Sequence, residues 1–259
     1  MKLARYWSRD AGESGGIRIV ARGWSDESIE AARVKAREVA RRVAERLAAR
    51  HGQRSQYPYG DRPLPEPVLR RFAAAAVTRN GYGALVLNTD AMMFVDIDRQ
   101  DKQRLFTFFR KPPEDGIRRV AERHGFSARI YETAGGYRVI IAGQPFRGGS
   151  SEAEAILKDF GADPMYVRLC RMQESFRARL TPKPWRCGFR NPPVEFPFVT
   201  PEDEAKFQRW EAEYARRAAS YATCRFVSAT GAGNIAPEFS ELIAYHDQET
   251  KVRSAQQLA

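Results

Sequence analysis

Apolar residues return at three- and four-residue steps between Ser25 and Arg50. Ile29, Ala32, Ala36, Val39, Val43 and Leu47 fall on one face of a predicted helix. Ser25, Asp26 and Ser28 offer capping oxygens at its start, and Gly52 follows its end. Arg33, Lys35, Arg37, Arg41, Arg42 and Arg46 fill the remaining faces, a pattern of solvated surface that also suits phosphate. The prolines between Tyr57 and Pro65 forbid regular structure and predict a loop or linker. Beyond it the period shortens. Ala76–Arg79 and Ala84–Leu87 read as a hairpin across Asn80-Gly81-Tyr82-Gly83, followed by a strand over Met92–Asp98.

A helix is expected over Asp115–His124, closed by Gly125, then a hairpin of Arg129–Thr133 and Gly136–Ala142. Ser151-Glu152-Ala153-Glu154 has the spacing of a capping box, and Asp163-Pro164 opens a further helix through Gln173. Phe176–Leu180 alternates apolar and basic as a half-buried strand does. Pro182–Pro197 is irregular, Thr200-Pro201 starts a helix with Phe207, Trp210 and Tyr214 on one face, and Ala222–Val227 reads as a strand. The residues from Ser254 onward are expected to fray. The expectation is an α+β fold with a central, largely antiparallel sheet and packed helices. Residues 1–56 would supply a strand and the basic amphipathic helix, and residues 57–259 the core, the two forming one continuous domain or two.

Composition sharpens the choice of partner. Of 259 residues, 43 are Lys or Arg and 32 are Asp or Glu, a formal charge of +11. Such an excess attracts polyanions, with nucleic acid or nucleotides foremost and anionic membrane surfaces behind them. No run of eighteen apolar residues occurs, so membrane insertion is not expected, and the opening residues carry no apolar signal segment. The three cysteines, Cys170, Cys187 and Cys224, are odd in number and widely spaced. They form neither a disulfide framework nor a zinc pair, and they suit reduced thiols in a cytoplasmic protein. Phosphate loops, zinc-protease helices and serine-hydrolase elbows are absent from the sequence.

The foremost chemical candidate is Asp96 with Asp98. Two apart on a strand, they share a face with Cα atoms about 6.5 Å apart, while Met93, Val95 and Ile97 point the other way. Paired carboxylates repel unless cations neutralise them, so the pair suits Mg²⁺ or Mn²⁺. The alternative is that both acids pair with arginines. A basic tract holds the second set: Arg168 and Arg171, then Arg177 and Arg179 as a phosphate fork, then Lys183, Trp185 and Arg186, where Trp185 offers a stacking surface. The same aromatic and basic residues also suit a proline-rich loop pinned to the domain. His246-Asp247 is the third, a metal-ligand pair or general acid/base, whereas His51 and His124 at helix ends read as structural.

The run Phe94-Val95-Asp96-Ile97-Asp98 resembles the first catalytic motif of the archaeo-eukaryotic primase (primase-polymerase) superfamily. Gly136-Tyr137-Arg138 is similar in place to the family's second motif, with Arg138 where the family has His. Asp247, or else Asp163, stands where a third acid is expected. The resemblance spans roughly Val77 to Asp247. It implies a metal-dependent nucleotidyltransferase or a relative that has lost activity, with Arg138 binding triphosphate in place of the usual His. Three readings therefore stand open: metal-dependent nucleotidyl or phosphoryl transfer, non-catalytic nucleic-acid binding, and a phosphodiesterase or nuclease using Asp96, Asp98 and His246.

Overall fold

At the N-terminus Tyr6–Ser14 (β1) and Ile17–Ser25 (β2) pair as an antiparallel β-hairpin, rather than the single strand expected. A computed structural model describes residues 1–49, 63–99 and 113–259. Helix α1, Ile29–Ala48, lies across this hairpin, capped by Ser28, whose hydroxyl accepts from the Ala31 amide at 3.0 Å. Its buried face is Ala32, Ala36, Ala40 and Ala44; Ile29 and Leu47 are exposed, which corrects the face read from the sequence. The reason is close approach. A Cβ on Gly12 or Gly23 would overlap α1 backbone, so the hairpin admits only alanine between itself and the helix. Most of the helix's cations find partners at home: Arg37 pairs with Asp10, Arg41 with Glu45, Arg42 with Glu38, and Lys35 sits over the Trp24 ring. His51, Gly52 and most of the Tyr57–Pro65 segment lie outside the described residues.

The remaining chain is α+β, and the one central sheet expected resolves into two. Val68–Arg71 (β3), Ala75–Arg79 (β4), Leu85–Thr89 (β5) and Phe176–Arg179 (β9) form an antiparallel sheet in the order β3-β4-β5-β9. Met93–Asp98 (β6), Ala128–Thr133 (β7), Gly136–Ile141 (β8) and Cys224–Thr230 (β11) form the other, ordered β11-β7-β8-β6. Helices α2 (Pro113–Arg123), α3 (Ser151–Asp159), α4 (Pro164–Gln173) and α6 (Pro237–Thr250) complete this body. One apolar core runs through it, including Leu87, Phe94, Ile130, Val139, Phe176 and Phe239. Helix α5, Pro201–Ala218, closes a smaller cluster of Phe207, Trp210 and Tyr214 over Cys187, which lies in a single 3₁₀ turn at Pro184–Cys187. No described helix is long and apolar enough to cross a membrane.

The C-terminus departs from expectation. Gln257–Leu258 (β12) pairs in parallel with Tyr221–Ala222 (β10), and the Ala259 amide donates to the Ala222 carbonyl, leaving Ala259 buried. Backbone pairing and burial thus hold residues whose terminal position suggested fraying.

Candidate functional site

Alternation on β6 and β8 sets the site. Asp96 lies opposite Arg138 in the antiparallel register, and Asp98 opposite Gly136. A Cβ on Gly136 would overlap the Ile97 carbonyl oxygen, so a glycine is required where β8 presses against the end of β6. The Arg138 Nε donates to Asp96 Oδ1 at 3.1 Å, and the Arg138 side chain is wholly buried while that of Asp96 is 41% exposed. Asp96 is thus anchored by one oxygen and open on its other side. One half of the arginine-pairing alternative therefore holds.

Asp98 has no arginine partner among the described residues. It shares a hydrogen bond with Asp163, and its pKa is raised by burial first, then by Asp163 and by the charge of Asp96. Asp163 is placed by its role as the cap of α4, its Oδ1 accepting from the Met165 and Tyr166 amides, and its own amide donates to the Asp96 carbonyl at 2.9 Å. Of the two third acids that the sequence offered, the structure brings Asp163 to the pair.

A cleft of about 400 Å³ opens over these acids between the two four-stranded sheets. Asp96, Asp98, Arg138, Arg177, Arg179, Lys183 and Arg186 all line it. The fork of Arg177 and Arg179 on β9 is as the alternation predicts, yet the two differ. Arg177 is held by both oxygens of Glu66, at 2.7 and 2.8 Å, and is neutralised. Arg179 makes no side-chain hydrogen bond among the described residues, and its buried Nε lacks a partner. Burial lowers its pKa. Lys183 meets only the Trp185 ring, at 5.5 Å, and Arg186 lies beside Gly135 without an ion pair among the described residues. Burial and then the charges of Arg179 and Arg186 lower the Lys183 pKa. Tyr82 lines the cleft and meets Trp185 edge-on at 5.3 Å; Trp185 itself is half exposed. Tyr82 and Glu66 were missed as site residues; the Asn80–Gly83 turn was the signal that placed Tyr82.

Five predicted residues do not line the cleft: Trp185, which touches the lining residue Tyr82, and four that lie elsewhere. Helix α4 turns Tyr166, Leu169 and Cys170 toward it, so Arg168 and Arg171 face a separate concavity with Glu154 and Lys158. His246 and Asp247 lie on α6, and both serve a buried network behind the site. The His246 Nδ1 lies 3.0 Å from Asp247 Oδ1, while Asp247 also accepts from Arg129 at 2.7 Å and from the Tyr131 hydroxyl at 2.8 Å. That leaves His246 Nε2 to accept from Arg138, 3.4 Å away. Burial lowers the His246 pKa to about 4, so the ring is neutral and serves as an acceptor, not as a general acid. Asp247, consumed by three donors, is no third ligand at the cleft. The cysteines are all buried and free, and burial pushes the thiols of Cys187 and Cys224 up rather than down. His124, as expected, is structural, stacked on Phe126 and 3.0 Å from Asp159.

Among the described residues, no group of three or more His, Cys, Asp or Glu is arranged to hold a metal ion. No protein-family model, curated protein or solved structure matches this chain.

Proposed function

We propose that the chain is a divalent-metal-dependent protein of nucleotidyl or phosphoryl transfer, acting on nucleotides or nucleic acid. One observation carries the reading. Two ion pairs cancel in the cleft, Arg138 with Asp96 and Arg177 with Glu66, and leave Arg179, Lys183 and Arg186 in one cleft with Asp98, beside which Asp163 lies. Three cations with no ion pair among the described residues, gathered in one cleft, repel each other, and a polyphosphate relieves them. Guanidinium groups grip phosphate oxygens in pairs, and Lys183 adds a point charge. The Tyr82 and Trp185 rings suit a base stacked at the mouth.

The acids fit Mg²⁺ or Mn²⁺. Carboxyl groups as close as those of Asp98 and Asp163 need a proton or a cation between them, and Asp96 keeps an unanchored oxygen on the same face. Mg²⁺ is commonly held by one or two carboxylates and completed by substrate phosphate and water, so a full cage of protein ligands is not required. When bound there, the cation would neutralise phosphoryl oxygens and polarise them. Arg138, fixed behind Asp96, orients that carboxylate. Arg179, Lys183 and Arg186 orient the phosphates and take up charge that develops on them. The Asp96-Ile97-Asp98 resemblance to primase-polymerases points the same way.

A second reading, a non-catalytic nucleic-acid binder, is favoured by the Arg138–Asp96 ion pair, which occupies one carboxylate oxygen. Assays of nucleotide incorporation and of nucleoside triphosphate hydrolysis with Mg²⁺ or Mn²⁺ separate the two. Divalent-dependent turnover lost in Asp98→Asn supports transfer chemistry. Polynucleotide binding without turnover, unchanged in that variant, supports the binder.

A further inference from the structure

Strand β3 is an edge strand, and a register irregularity between Val68 and Arg70 opens its ladder. Beside it lies a concavity of about 300 Å³ lined by Ala4, Arg5, Val68, Leu69, Arg70 and Arg71. Its three charged side chains are all arginine, and none makes an ion pair among the described residues. Asp26 accepts from the Arg5 backbone amide at 2.9 Å. Arg70 is held in place by stacking over Phe72 and Tyr245, at 4.5 and 4.8 Å, and Arg5 lies over Tyr6 at 5.2 Å. A guanidinium held this way loses little freedom on meeting an anion.

We infer that the Arg5–Arg70–Arg71 concavity is a second phosphate site, holding the backbone of a single-stranded nucleic acid that also reaches the cleft. This rests on the polyphosphate reading of the cleft given above. The sheet order puts Arg179 on one edge strand and the arginine concavity on the other, three strand spacings away. Three spacings amount to about 14 Å. That is about four stacked nucleotides at about 3.4 Å each, a span a strand bridges and a mononucleotide does not. A lipid surface fits less well, because Leu69 is the one exposed large apolar side chain lining the concavity.

The test is anisotropy titration of a single-stranded oligonucleotide of about 12 nucleotides, and separately of a nucleoside triphosphate, against wild type and Arg5→Gln/Arg71→Gln. Both substituted side chains are exposed, and Arg70 keeps its stacking. The expected result is an oligonucleotide affinity weakened about tenfold at low salt, with the log–log salt slope reduced by about 1.4 for two lost contacts. Triphosphate binding should not change. Unchanged oligonucleotide binding in the double variant overturns the site, as does equal loss of both ligands. So does wild-type binding to phosphatidylserine vesicles, lost in the variant, with no binding of oligonucleotide. Failure of the cleft reading is read separately, as absent turnover and no effect of Asp98→Asn while the oligonucleotide effect persists.

Discussion

Asp98 and Asp163 meet carboxyl to carboxyl beside the cleft, close enough to share one hydrogen bond, with Asp96 on the same strand face adding its charge. The arrangement costs stability at neutral pH, because Asp98 ionises less readily here than in an unfolded chain. A carboxyl whose folded pKa is raised binds more protons in the folded state than in the unfolded one just above pH 3.8, so stability falls as pH rises through that window. Asp98→Asn should therefore raise Tm at pH 7, by about 2 °C given the group's exposure. The gain should vanish below the unfolded pKa. Thermal melts at pH 7 and pH 3 check this, and a lower Tm at pH 7 would contradict it.

Asp96 should behave in the opposite way. Its partner Arg138 is wholly buried, and removing the carboxylate leaves a guanidinium charge with only the Arg179 carbonyl, Cys224 and neutral His246 around it. Asp96→Ala should destabilise by about 2 kcal/mol, less than loss from a fully buried pair, because Asp96 is itself 41% exposed. Urea unfolding of the two single variants reads the contrast directly: the midpoint falls for Asp96→Ala and does not fall for Asp98→Asn.

How much of this was legible follows from which periodicities are local. The period-two pattern over Met92–Asp98 put Asp96 and Asp98 on one face, and the alternation over Phe176–Leu180 paired Arg177 with Arg179. The Asp163-Pro164 cap was legible as a helix start, but its meeting with Asp98 depends on how α4 docks against β6. Glu66 neutralises Arg177 from far along the chain, a pairing no local pattern encodes. The buried face of α1 was misread for a similar reason: hydrophobicity favoured Ile29 and Leu47, whereas clearance against Gly12 and Gly23 favoured alanine. His246-Asp247 was legible as a pair, and neighbours about 100° apart on a helix do join one network, but its place behind the cleft depends on how α6 docks.

Arg179 should be the principal anion anchor, because its guanidinium lines the cleft, has no hydrogen-bonding partner among the described residues and sits beside other cations. Thermal shift with inorganic triphosphate should stabilise wild type and fail to stabilise Arg179→Met. Arg177→Met should keep the shift, because Glu66 already satisfies that arginine. At a ligand concentration of about 100 Kd the stabilisation lost is about 2.7 kcal/mol. Equal responses from both variants would remove the distinction.

His246 supplies a pH signature independent of any ligand. Its folded pKa is about 4 against 6.5 for the free side chain, because burial opposes the charge more than the Asp247 hydrogen bond supports it. Between those values the unfolded chain takes up a proton that the folded protein does not, so stability falls as pH drops from 6.5 toward 4. The full loss is about 3 kcal/mol for a buried group, at about 1.4 kcal/mol per pH unit. His246→Gln keeps an acceptor toward Arg138 and an amide donor toward Asp247 while removing the titration. Its stability should be lower than wild type at pH 7 yet flatter between pH 6.5 and 4.5. Chemical denaturation across that range measures the slope. Parallel curves for the two proteins would mean that the ring takes up its proton inside the fold, and Arg138 would then lack the neutral acceptor that holds it behind Asp96.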